Sequence, residues 1–206
     1  MTELVGDLEP VIPLRFSRGL ALAMGAMAVA VVSIFWQGDI RADVMAGQPR
    51  EIFLVSTGLF LLLGLACTVA VVLMGSPRVG AARNGWQWAL AMASVLPVTA
   101  LIIGLSRGAS AWAASEADHG VVCLEASVGL GLLTGAVLTL WLRRGAPSMP
   151  ERAGLLTGIA AGCAGVFAFS FACPIDSFMH TGIWHGLAVV ASALLGRLVV
   201  PPLVRW

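Results

Sequence analysis

Six uninterrupted apolar runs, at roughly 16–36, 52–74, 87–105, 121–142, 153–172 and 179–200, limit what this chain can fold into. About 20 apolar residues are needed to cross roughly 30 Å of hydrocarbon as a helix. Inside hydrocarbon every backbone N–H and C=O must be paired within the chain, which leaves helices or a closed barrel. A barrel would show short segments of alternating hydrophobicity, whereas these runs are continuous. The expectation is an all-α integral membrane protein with six transmembrane helices. Composition agrees: 59% of the 206 residues are hydrophobic and 11% charged, too little polar surface for a water-soluble domain. Arg197 lies near the end of the sixth run, where its side chain reaches the interface.

The start "MTELVGDLEP" is acidic and lacks the basic region of a cleaved signal peptide, so the first run reads as a permanent span. All twelve basic residues are arginine. Arg15, Arg18, Arg78, Arg83, Arg143, Arg144, Arg152 and Arg205 fall on the side of the N-terminus and the even-numbered connections; the opposite loops hold Arg41, Arg50 and Arg107. The positive-inside rule therefore places both termini in the cytoplasm. Trp36, Trp86, Trp88, Trp112, Trp141, Trp184 and Trp206 fall near span ends, as interfacial tryptophans do.

Several functions are disfavoured. A net charge of +1 gives no electrostatic footprint for nucleic acid. The spans hold almost no ionisable groups beyond Glu125 and Arg197, which argues against a charge-coupled transporter but not against a carrier of neutral molecules. Pro97, inside the third span, is a potential kink. The repeated "GLLTG" at 131–135 and 154–158 reads as close helix packing through small residues. No catalytic triad, CxxC pair or phosphate-binding loop is present.

Cys67 and Cys163 fall mid-span and read as small buried hydrophobes. Cys123 and Cys173 differ, because the topology carries both to the outer surface, where disulfides persist. A bridge between them would close a loop of about 50 residues, worth roughly 4 kcal/mol by chain entropy. A static staple, a sensor and two unrelated thiols all stay open. Metal binding is the rival reading: Cys123, Cys173, His119, His180 and His185, with Asp176 and Met179, suit zinc or copper. Their spacing matches no ligand motif. On a regular α-helix, moreover, His180 and His185 stand about 140° apart and would not converge.

The N-terminal segment carries Glu3, Asp7 and Glu9 before any base, with Leu4, Val5 and Leu8 on one side of a short potential helix ending near Pro10. Too short to fold alone, it reads as a disordered leader or a ligand for a basic groove on a partner.

Four stretches together resemble the NrsF-type membrane anti-sigma factors of proteobacteria: "LVGDLEPVIPL", "LRRGAPSMPERAG", "CPIDSF…WHG" and the ending "GRLVVPPLVRW". The resemblance implies that residues 1–15 bind an extracytoplasmic-function sigma factor, with Leu4, Asp7, Leu8, Pro10, Val11, Pro13 and Leu14 as contacts. Residues 16–206 would then form the sensing domain. It also implies that Cys123 and Cys173 are the periplasmic pair associated with sensing oxidant or metal; our expectation is that oxidation or metal capture there shifts the fourth and fifth spans and frees the sigma factor. His180 and His185 are candidates for joining that pair in transient metal binding, with no resident cofactor. The partners are the sigma factor and the bilayer, with nucleic acid excluded and self-association open. The competing class is a small membrane carrier or an outward-facing thiol or metal-binding membrane enzyme.

Overall fold

A computed structural model describes residues 14–76, 85–108, 110, 112, 117–145 and 147–204. The regular elements are α1 (Phe16–Gln37), α2 (Ala42–Met45), α3 (Glu51–Met74), α4 (Gly85–Arg107), α5 (Ala117–Arg143), α6 (Pro150–Phe169), α7 (Phe178–His180), a π turn (Thr181–His185) and α8 (Gly186–Val204). Six helices are long and apolar enough to cross a membrane, the last running from Phe178 through the π turn into α8. Described large apolar side chains such as Val32, Leu62, Ile102, Leu132 and Leu198 point outward. That suits a helix surrounded by lipid, where polar outer faces are not needed.

α6 is the central helix. In its most apolar stretch 78% of residues are buried, against 24–44% in the other five spans. It packs most extensively on α8, then on α5 and α3. Its glycines explain this. A Cβ on Gly158 would overlap the Ser192 carbonyl of α8, and one on Gly165 would overlap the Ser127 carbonyl of α5. A Cβ on Gly131 of α5 would likewise overlap the Ala161 carbonyl. The "GLLTG" repeats are thus contact surfaces where backbones approach, the geometry that small residues permit in a bilayer.

Two expectations need correction. Trp141 is near a span end but faces inward, 4% exposed, with Nε1 donating to the Val72 carbonyl at 3.2 Å. Its indole fills the space left by Gly19 and Gly75, so it is a packing residue. The fifth span ends at Phe169, short of the expected 172. There the Ser170 hydroxyl bonds back to the Val166 carbonyl at 2.7 Å, and Pro174 cannot extend a helix.

Candidate functional site

The turn after α6 places Cys173, whose N–H bonds to the Phe169 carbonyl at 3.0 Å and closes the last coil of the helix. Cys123 comes from the second turn of α5. One turn-residue away, Gly120 accommodates the Trp184 indole, so the π turn lies directly against α5. Gly182 and Gly186 let the same segment sit on Leu96, Pro97 and Ala100 of α4. The glycines of "HTGIWHG" therefore wedge a distorted turn between two spans.

That distortion decides the histidines. In a π turn the backbone bonds run i→i+5, which brings residues five apart nearly into line. The rings of His180 and His185 lie 5.7 Å apart, centroid to centroid. The expectation that they diverge assumed a regular helix, and the π turn removes that assumption.

Cys123, Cys173, His180 and His185 consequently converge, with one ligand atom from each within 4.8 Å of the others. The two Sγ atoms are 3.7 Å apart, and His180 Nε2 is 3.3 Å from Cys123 Sγ and 3.6 Å from Cys173 Sγ. All four residues are buried, and both thiols are free. The hydrogen bond to Cys123 holds the Cys173 thiol well below the ordinary thiol range, against its burial, with His180 and His185 acting in the same direction. Both ring nitrogens of His185 lack a hydrogen-bond partner. Burying such a group unpaired is costly, and a metal ion would satisfy it. Two thiols and two imidazoles in a closed four-point arrangement suit zinc, cadmium or cuprous ions.

The other sequence candidates do not belong to this four-residue group. His119 is exposed on α5, and Met179 packs beside Ala100. Asp176 is engaged by arginines: Arg41 Nη2 at 2.6 Å and Arg50 Nη1 at 3.2 Å. Arg41 is the residue that sequence reasoning missed, having counted only for topology. Its guanidinium also donates to both carboxylate oxygens of Asp43, at 2.9 and 2.8 Å, and to the Cys173 carbonyl at 2.8 Å. Burial works against its charge, but the carboxylates of Asp43 and Asp176 more than offset this and raise its pKa. The signal lay in opposite charges shared by two outer loops, Arg41 and Asp43 in one and Asp176 in the other. Cys67 and Cys163 are buried mid-bundle, as expected. Among the N-terminal candidates Leu14 is described and packs against the core. Leu4, Asp7, Leu8, Pro10, Val11 and Pro13 lie outside the described residues.

Fold and site define a class: an all-helical protein with six helices long and apolar enough to cross a membrane and a buried thiol–imidazole cluster near one end of the bundle. Residues 4–206 match the family described as NrsF, negative regulator of sigma F, and the chain belongs to that family. It is 29% identical over 202 residues to the anti-sigma-F factor NrsF of Caulobacter vibrioides (strain NA1000 / CB15N), covering 96% of this chain and 92% of that protein. No solved structure matches it. The family expected from the motifs is the family found.

Proposed function

We propose that the protein is a membrane anti-sigma factor, a regulator with no catalytic role, that senses chemistry on its outer face. It lies in the bacterial inner membrane with both termini in the cytoplasm, an orientation supported by the arginine distribution. Residues 1–15 hold an extracytoplasmic-function sigma factor; the family match supports a sigma factor as the partner, and the acidic, apolar-faced N-terminal segment supports the place of contact. The convergence of Cys123, Cys173, His180 and His185 carries the sensing half of the proposal.

Two chemistries are available to the cluster. A soft or borderline cation would take both sulfurs as thiolates, with Cys123 giving up its proton and Cys173 already poised as the thiolate, and both imidazoles as neutral ligands. Alternatively an oxidant accepts two electrons, the Cys123 proton leaves, and the two sulfurs join as a Cys123–Cys173 disulfide. Either event draws the outer turn inward. If that lowers affinity for the sigma factor, the sigma factor must disfavour the event by the same factor.

Co-purification from detergent-solubilised membranes tests the cytoplasmic half. Deleting residues 2–14 is expected to abolish retention of the sigma factor while leaving the protein in the membrane; unchanged retention would move the contact to the inner loops. A sigma-dependent reporter tests the sensor. Cys123→Ser with Cys173→Ser should blunt induction by cadmium or peroxide without loss of sigma binding, and an unchanged response would reduce the pair to packing.

A further inference from the structure

The turn that carries Cys173 is gripped at three points by one residue from another loop. Arg41 donates its backbone N–H to the Phe171 carbonyl at 2.9 Å. Its guanidinium donates to the Cys173 carbonyl at 2.8 Å and to Asp176 Oδ1 at 2.6 Å. Asp43 orients the guanidinium from the opposite side with two further bonds, and the Phe53 ring lies 4.9 Å below it. The Arg41 side chain is 5% exposed. A buried fork with most of its donors committed fixes a geometry that an ammonium cannot reproduce. A small crevice lined by Arg41, Phe53, Thr57, Cys173, Asp176 and His185 makes this network continuous with the cluster.

Arg41 also sits where a signal would have to pass. It follows the last residue of α1, Gln37, by four positions. A second contact runs in parallel: the Phe171 ring packs on Phe35 in the last turn of α1, centroids 5.7 Å apart. α1 has 22 residues, about 33 Å at 1.5 Å per residue, and its other end adjoins the N-terminal segment. Its buried face is Gly19, Ala23, Ala26, Ala30 and Ile34, a stripe of mostly small side chains.

We propose that Arg41 is the positioning residue of the thiol–imidazole cluster and the link by which the state of that cluster reaches α1. This rests on the reading of the cluster as a sensor. Capture of an ion by the Cys173 sulfur displaces the 171–176 turn. Arg41 and Phe171 pass that displacement to the outer end of α1, and the rigid helix moves the sigma-binding segment at its inner end. The route therefore runs through the first span, in place of a relative shift of the fourth and fifth.

The test uses the full-length protein with its sigma factor, and cadmium as the probe. Arg41→Gln should leave sigma retention intact without cadmium. In metal-free protein it should speed alkylation of Cys173, mapped by mass spectrometry, and it should weaken cadmium binding, read from thiolate-to-cadmium absorption, by about 10–100-fold, the usual loss when an outer-shell partner is removed. Arg41→Lys keeps the charge but loses the fork, should fall between, and decides the case if Arg41→Gln does not reach the membrane. Two glycines inserted after Asp39 should leave cadmium binding as in the wild type while abolishing reporter induction. Wild-type alkylation and affinity in Arg41→Lys and in any membrane-inserted Arg41→Gln would overturn the positioning role. Full induction in the glycine-insertion protein would overturn the α1 route. Absence of the cadmium–thiolate band in the wild type would instead refute the cluster reading itself.

Discussion

Replacing His185 by leucine separates a ligand from an ordinary core histidine, because the two roles predict opposite signs. His185 is 3% exposed, and neither ring nitrogen has a hydrogen-bond partner. An unsatisfied buried polar group costs about 1–3 kcal/mol. Leucine has a similar volume and faces the Phe60 ring, whose centroid lies 6.3 Å from that of His185. His185→Leu should therefore stabilise the metal-free protein by up to about 1–3 kcal/mol, less the support the ring gives the Cys173 thiolate. For a chain of this size the melting temperature would rise by about 2–4 °C per kcal/mol. The same change removes one of four ligands, so cadmium affinity should fall by more than the roughly 10–100-fold lost with an outer-shell partner. His180→Leu is the contrast: Nε2 of His180 contacts both thiols, and each lost bond costs about 0.5–1.5 kcal/mol. Thermal unfolding of chelator-treated protein in detergent, followed by cadmium titration, reads both effects. A lower melting temperature with unchanged cadmium affinity in His185→Leu would refute the reasoning and make His185 a packing residue.

Two further outcomes follow from packing and charge. Gly158→Leu should destabilise by about 1–3 kcal/mol, the usual range for overpacking, because its Cβ meets the Ser192 carbonyl; Gly25→Leu, with nothing within 4 Å of that Cβ, should leave the melting temperature unchanged. The outer clasp should also resist mild acid. The hydrogen bond from Arg41 holds the Asp43 carboxyl well below the usual carboxylate range. Its contribution is therefore complete above the unfolded value of about 3.9 and is lost as pH falls through the lower folded value. Melting temperature against pH should show a loss below about pH 4 that Asp43→Asn removes; a loss that Asp43→Asn removes already near pH 6 would contradict this.

The spans were legible because the bilayer imposes one length and one solvent on every helix. Predicted and observed limits agree within three residues except at the start of the fourth span and at the end of the sixth, which runs four residues past its expected limit to Val204. The fifth span stops early where Ser170 and Pro174 end the ladder. The fourth starts earlier than its apolar run, since Asp118 and His119 are helical but polar. Trp141 was misread because amphipathic tryptophans at span ends favour interfaces in general, while the pockets beside Gly19 and Gly75 are set by helices distant in sequence.

Composition and pattern alone determined that this chain is a helical bundle with six helices long and apolar enough to cross a membrane, that Cys123 and Cys173 share one end of it, and that its motifs are those of the NrsF family. These follow from hydrophobic run length and residue order, which are local properties. Tertiary structure decided the ligand set and the clasp. Whether His180 and His185 converge depends on a π turn, and that turn is held by Gly120, Gly182 and Gly186 against α5 and α4. Whether Arg41 is a loop charge or a buried fork depends on Asp43 and Asp176, the second of them 135 positions away. Contacts at that separation leave no periodicity in the chain, so folding alone brings them together.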